Sequence, residues 1–435
     1  MPNKDNSQKQ RLQIWSDLYK GKSRWVRGKV KSLHLGKVVC AEIARLMCVD
    51  MTATVSDTKI DTVLQEEVIF RIIPAVEFGL ALGGVIFKPC QSTENTVTVQ
   101  LLTPFDYQIN NISSNNKIKD IIFFDEIIWD DIGYRREERH IINASKYTIT
   151  NTFYRTGDGD NGDETKLTNW AHIEPWTHIK ALETIEGLNY SLFGYFTPAM
   201  ADTEKLTETH GVSVLTDVED TIQRCDEQLS YMIREFRAKQ ARVMVSPLAA
   251  PENRGSALPD LEDDLYIKVG IGAEKNQEFF NIFTPQIYVS QYREALNEYK
   301  RQVEDIVGLA HGAISEIDRA GRTATELRIM RHRSFVTVSN NQRNLQHALE
   351  DLANAVNYLL HDINAKPITI SFSFDETTLE DWGEKVKRMF NDVSAGLIKP
   401  EKYLMEAYSL TEEEARKWLP SADSLVNNDN DLIIR

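Results

Sequence analysis

The spacing of apolar positions gives the chain two textures. Residues 50–150 carry short runs of β-branched and aromatic residues: Thr52-Ala-Thr-Val, Gly84-Val-Ile-Phe, Thr96-Val-Thr-Val-Gln-Leu-Leu and Ile121-Ile-Phe-Phe, each read as a strand. Tyr147-Thr-Ile-Thr-Asn-Thr-Phe-Tyr-Arg followed by Gly157-Asp-Gly-Asp-Asn-Gly predicts a hairpin with a loose turn. Upstream, helices are expected near residues 11–19 and 38–47, the second carrying Ala41, Ile43, Ala44 and Met47 at helical spacing. Residues 38–210 thus read as an α+β region.

From Asp217 the pattern turns helical. Val218, Ile222, Cys225, Leu229, Met232 and Phe236 follow at steps of 4, 3, 4, 3 and 4, a seam along one helix face that predicts a helix to about residue 245. Pro247, Pro251, Gly255 and Pro259 punctuate the next stretch, in which Leu265-Tyr-Ile-Lys-Val and Phe279-Phe-Asn-Ile-Phe read as strands. A second seam follows: Val289, Tyr292, Leu296, Tyr299, Val303 and Ile306. After Gly308, a connector over 309–322 is longer than helix packing needs. Thr323 and Glu326 are placed as a capping box for a helix reaching about residue 362, with the seam Leu345, Leu349, Leu352, Val356, Leu359 and Ile363. A strand at Ile368-Thr-Ile-Ser-Phe-Ser-Phe and short helices at 379–395, 402–408 and 412–418 complete the pattern.

Length and charge narrow the class. At 435 residues the chain suits two to three domains or one elongated molecule. Its 50 Lys and Arg against 65 Asp and Glu give −15, which argues against a protein that coats nucleic acid by charge. The balance is uneven: residues 1–37 hold ten Lys and Arg against two acids, a net of +8, leaving −23 for the rest. Four cysteines form neither a disulfide framework nor a zinc spacing and fit a reduced compartment. The near-apolar run over 76–87 is too short to span a bilayer, and the polar N-terminus has no secretory signal. A soluble, acidic protein made inside the cell is expected.

Catalytic signatures are missing from the sequence. The nine histidines include no HExxH, there is no GxxxxGK[ST] and no GxSxG, and Gly83-Gly84 and Gly270-x-Gly272 do not make a dinucleotide fingerprint. The cluster Asp158-Gly-Asp160-Asn-Gly-Asp163 fails as an EF-hand, since Gly162 and Asn169 stand where ligands are needed. The expectation is a non-enzymatic protein without metal or cofactor. Helices this long must pack on others of the same chain or of neighbouring copies, and self-association is the favoured alternative.

The order of these parts resembles the portal proteins of tailed bacteriophages, in the branch with long non-contractile tails, over roughly residues 15–420. The pieces that carry it are Trp15-x-x-x-Tyr19-x-Gly21, Pro74-Ala-Val-Glu-Phe-Gly-Leu-Ala-Leu-Gly-Gly-Val-Ile-Phe-Lys-Pro89, and Leu192-Phe-Gly-Tyr-Phe followed by Gly211-Val-Ser-Val. To these add Arg234-Glu-Phe-Arg-Ala-Lys-Gln-Ala-Arg242-Val, and Val307-Gly-Leu with Arg322-Thr-Ala-Thr-Glu-Leu. The resemblance implies an elongated α+β portal fold: a wing over 1–215, stem helix 1 over 216–245, a β-rich clip over 246–286 and stem helix 2 over 287–308. A tunnel loop over 309–322, a long wing helix with return strand over 323–374, and a helical crown and tail over 375–435 would follow.

The same resemblance implies a dodecameric ring at one capsid vertex of the virion, made in the host bacterial cytoplasm. Double-stranded DNA would pass through it without sequence specificity and without any membrane. Partners would be further copies of the chain, the major capsid and scaffolding proteins, the terminase large subunit and a head–tail adaptor protein. His311, Ser315, Glu316, Asp318, Arg319 and Arg322 would form the tunnel loop, with Arg319 or Arg322 meeting phosphate. Arg237, Lys239 and Arg242 would be a basic stem end near the clip, or else only the complement of a helix dipole whose other end carries Asp217, Glu219 and Asp220. Leu229, Met232, Phe236, Tyr292, Leu296, Tyr299 and Val303 would be stem packing. The basic N-terminus, including Lys20, Lys22, Arg24 and Arg27, would either be a solvated flank or dock on an acidic partner or DNA. Another structural ring of the head–tail or tail assembly, or a nuclease with an Asp/Glu/Lys metal site, are the rival readings.

Overall fold

The chain begins with two helices, α1 (Lys4–Lys20) and α2 (Leu35–Cys48). The computed structural model describes residues 4–49, 51–91, 96–113, 117–143, 146–156, 164–203, 211–239, 242–245, 266–268, 280–283, 286, 288–316, 324–361, 368–374, 382–408, 410 and 412–419. On α2, Ile43, Ala44 and Met47 are buried as their spacing predicts. Strand β1 (Met51–Val55) leads into α3 (Thr58–Glu67), where the Asp57 carboxylate accepts from the N–H groups of Lys59 (2.9 Å) and Ile60 (3.3 Å). Helix α4 (Ile72–Leu82) follows, with Pro74 tolerated in its first turn and Gly83 ending it at φ 88°. Neither α3 nor α4 is legible as a helix in the apolar pattern; α4 is almost wholly apolar, Glu77 apart, and most of it is buried.

The α+β character is as expected, with sheets built almost wholly from antiparallel neighbours. Strands β2 (Val85–Gln91) and β3 (Val97–Leu102) pair with β10 (Gly194–Phe196) in the order β10-β2-β3. The larger sheet runs β4 (Tyr107–Ile112), β5 (Ile118–Trp129), β6 (Ile132–Ile142), β7 (Lys146–Arg155) and β8 (Thr165–Lys166), with β9 (Leu182–Glu186) also paired to β7. The predicted hairpin after Tyr147 is the β7–β8 pair; its turn, Asp158 to Asp163, lies outside the described residues. Strand β6 escapes the sequence pattern because Arg-Arg-Glu-Glu-Arg interrupts its apolar alternation. Those charges pair across the sheet, as in Arg139 with Asp120 (2.5 Å) and Arg136 with Asp125 (3.3 Å).

Helix α5 (Glu219–Ala238) and helix α6 (Val289–Val307) pack on each other. Between them, β11 (Arg242–Val245), β12 (Tyr266–Lys268) and β13 (Phe280–Phe283) form a small sheet in the order β12-β11-β13. The expected helix over 216–245 is corrected here. It stops at Ala238, and residues 242–245 turn into the central strand of the insert, since the run Val243-Met-Val is β-prone once the seam is broken by Lys239.

The 38-residue α7 (Ala324–His361) is the spine of the molecule. Its seam residues Leu345, Leu349, Leu352 and Val356 are buried in the largest core cluster with α1, α2, α4 and the lower ends of α5 and α6. Ile363 and the Thr323 cap lie outside the described residues. Two motifs of the sequence owe their glycines to this spine and to α4. A Cβ at Gly194 would lie 2.1 Å from the Ala348 carbonyl oxygen on α7, and one at Gly211 would lie 1.8 Å from that of Gly83. Strand β14 (Ile370–Phe374) returns to pair antiparallel with β1, and α8 (Trp382–Ser394), α9 (Pro400–Tyr408) and α10 (Glu412–Trp418) end the chain.

One buried polar network ties the two main sheets together. Lys88 on β2 donates to Glu138 on β6 (2.6 Å), and Arg136 reaches the same carboxylate (3.1 Å). Leu192 N–H donates to the Tyr147 hydroxyl (3.4 Å), Tyr147 to His140 Nδ1 (2.7 Å), and His140 Nε2–H to Glu138 (2.7 Å). Burial pushes His140 below the usual imidazole range, so the ring is neutral and fits this donor order. Burial alone would raise Glu138, but Lys88 and His140 hold it well below the carboxylate range.

Candidate functional site

The α5–α6 arm changes character along its length. At its base, Val218, Ile222, Cys225, Val303 and Val307 are at most 2 % exposed and belong to the main core. Midway, Leu229, Met232, Tyr292, Leu296 and Tyr299 are only half-buried. At the far end Phe236 (40 % exposed), Val289 (39 %) and Tyr288 (47 %) lie open. Of the expected stem-packing residues only Val303 is enclosed; Leu296 and Tyr299 pack against the main core while part-exposed. Ile306, placed on the seam by its spacing, is exposed and Val307 is buried instead.

Residues 309–316 make up the described part of the expected tunnel loop. Residues 309–316 do not project freely; they fold around the Glu304 carboxylate, which is fully buried on the last turn of α6. One carboxylate oxygen accepts from the N–H groups of Gly312 (3.1 Å), Ile314 (2.6 Å) and Ser315 (2.7 Å), and the other from the Ser315 hydroxyl (2.7 Å). Neutral donors converging on one anion keep this burial tolerable without a cation. Outside this cage Glu316 pairs with Arg293 (2.5 Å), and its backbone is held from both sides by the Asn297 amide. His311 lies 3.0 Å from Asp305, which also takes Arg333 of α7. Slight burial of Asp305 acts upward, but the bonds from His311 and Arg333 bring it below its ordinary range. Asp318, Arg319 and Arg322 lie outside the described residues.

The basic end of α5 is also partly committed. Lys239 pairs with Glu235, donates to the Gln286 carbonyl (3.0 Å) and sits 4.6 Å from the Tyr288 ring centroid. It fastens the end of α5 to the start of α6 and is not a free phosphate contact. Arg237 is exposed, and Arg242 belongs to β11, its Cα paired with that of Phe283. At the opposite end Glu219 meets Arg24 (3.4 Å) and Asp217 accepts from Thr203 (2.9 Å).

No family model and no curated protein matches the chain. Among solved structures it is similar to a chain from the neck of a native GTA particle computed with C12 symmetry: 8 % identity and a TM-score of 0.39, covering 85 % of this chain and 89 % of that one. A similarity of this size fixes no function.

Two anchors escaped the sequence reading. Glu304 sits among the apolar seam positions Val303 and Val307, and an acid on a buried face is the one signal that marks it. Asp226 is the other: it accepts from the Trp25 indole (2.9 Å) and the Leu33 N–H (2.7 Å), binding residues 21–34 across α5. Burial raises its carboxyl despite those bonds. Its partners lie 193 or more positions away, so no local pattern shows them.

Proposed function

We propose that the chain is a portal-type subunit of a closed homo-oligomeric ring in a phage-like virion. Double-stranded DNA would pass through the ring, and a packaging motor and a head–tail adaptor would dock on it. The order of sequence motifs carries the family reading. The observation that supports self-association is the α5–α6 arm, whose apolar seam leaves the core and continues half-covered for the rest of its length. Among the described residues Phe236, Tyr288 and Val289 at its tip are exposed, so the pair of helices carries apolar surface beyond the core. Copies of the same arm set side by side would cover those faces repeatedly around a ring.

On this reading the insert sheet is the part that meets terminase and adaptor, α8–α10 form the inward crown, and capsid and scaffold proteins meet the wing. The protein is a structural component without catalysis, metal or cofactor. Another ring of the head–tail or tail assembly shares the self-association but not the sequence motifs. Negative-stain imaging of the purified protein tests the proposal: rings with a central hole are expected, and a uniform population of single subunits would refute it.

A further inference from the structure

We infer that the strap between α1 and α2, residues 21–34 with the flanking Lys20 and Lys37, is a contact site for the phosphate backbone of duplex DNA. The site is argued from the strap itself and rests on the proposed function only for the identity of the nucleic acid. From Lys20 to Lys37 the sequence holds seven Lys and Arg and no acid, in a chain whose remainder is strongly negative. Lys20, Lys22, Arg24, Arg27, Lys29, Lys31 and Lys37 are all exposed. Arg24 pairs with Glu219; the other six form no ion pair among the described residues.

The strap is a built element rather than a loose flank. Gly21 and Gly28 take left-handed conformations (φ 64° and 61°), and Val26 N–H donates to Ser23 and Val30 N–H to Arg27 across tight turns. Buried Asp226 grips Trp25 and Leu33, and the Lys31 N–H donates to Ser230 (3.0 Å). The apolar residues Trp25, Val26, Val30 and Leu33 are turned at least partly inward, so residues 21–34 expose charge rather than large apolar side chains; at the flanks the Phe105 ring centroid lies 6.0 Å from Lys20 Nζ and Val38 follows Lys37.

That chemistry separates the candidate partners. Protein interfaces are depleted in Lys and depend on buried aromatic or aliphatic anchors. Five of the seven cations here are Lys, and the one aromatic ring is committed to Asp226. Lysine ammonium groups on a fixed backbone suit phosphate oxygens, which carry no sequence information. The contact is therefore electrostatic and indifferent to base sequence.

The test measures binding of the full-length protein to two fluorescent duplexes of about 30 base pairs and unrelated sequence, between about 50 and 200 mM salt. Equal affinity for both is expected, falling with salt at a log–log slope of about −0.9 per phosphate contacted. Reversing Lys22→Glu, Arg27→Glu, Lys29→Glu and Lys31→Glu leaves Arg24, Trp25 and Asp226 in place. It should weaken binding at low salt by at least about tenfold and flatten the slope by about 3–4. Should that variant misfold, Lys29→Ala with Lys31→Ala should still flatten the slope by about 2. Unchanged binding in the variants, or no binding by the unaltered protein at low salt, overturns the inference. Preferential capture by polyglutamate would also overturn it, assigning the strap to an acidic protein. Imaging the same samples separates the two claims. Rings without DNA affinity refute the strap alone, while single subunits with strap-dependent affinity refute the ring alone.

Discussion

The base and the tip of the α5–α6 arm use the same apolar spacing and meet opposite surroundings. Ile222, Cys225 and Val303 disappear into the core shared with α2, α4 and α7, whereas Phe236, Tyr288 and Val289 reach solvent a few turns further on. Periodicity tells which face of a helix is apolar but not what covers it. The base should therefore govern folding of the subunit, and the tip should govern what copies of the subunit do to one another.

The largest effect is expected where the arm joins its loop. Glu304→Ala removes the acceptor of three backbone N–H groups and a hydroxyl, and each buried donor left unpaired costs about 1–3 kcal/mol. Denaturant unfolding should show a loss of several kcal/mol; a loss under about 1 kcal/mol would mean that residues 309–316 hold their shape without it. Next, Ile222→Ala at the base should cost about 2–5 kcal/mol in the same measurement. A change of only a few tenths would remove the contrast between base and tip.

A smaller, pH-dependent effect belongs to the body. The neutral His140 has a folded pKa below its ordinary 6.5, so its contribution is complete above that value and drains away as pH falls through the folded one. Asp226 works in the opposite sense, because its raised pKa favours the folded state at low pH and disfavours it as the carboxyl ionises. The melting temperature should fall from about pH 7 to about pH 5, and less so in His140→Gln. Equal slopes in the two proteins would take His140 out of the account. The smallest effect on subunit stability is expected at the tip, where Phe236→Ala should change unfolding by no more than about 0.5 kcal/mol, as at other exposed positions.

The sequence makes the α5–insert–α6–α7 order legible because each of those helices is amphipathic or long. It hides α4, whose nearly all-apolar sequence shows no clear period, and β6, whose central charges are satisfied by neighbouring strands. The β5–β6 turn is equally quiet: Asp130 and Asp131 both take positive φ, a role usually signalled by Asn-Gly or Asp-Gly. The apolar spacing overruns the end of α5 by several residues, because Val243 and Val245 look continuous with the seam although Lys239 already closes the helix against Tyr288. At the candidate site, the arm and its loop could be placed from spacing alone. The Glu304 cage and the Asp226 anchor could not, since both depend on backbone donors that sequence does not display.

The central claim is that the exposed end of the arm joins one subunit to the next. Solution mass measurement of the unaltered protein beside Met232→Ala with Phe236→Ala tests it most directly. The account predicts a closed oligomer for the former and folded single subunits, melting lower because the burial between copies is lost, for the latter. Equal oligomer mass in both would contradict it.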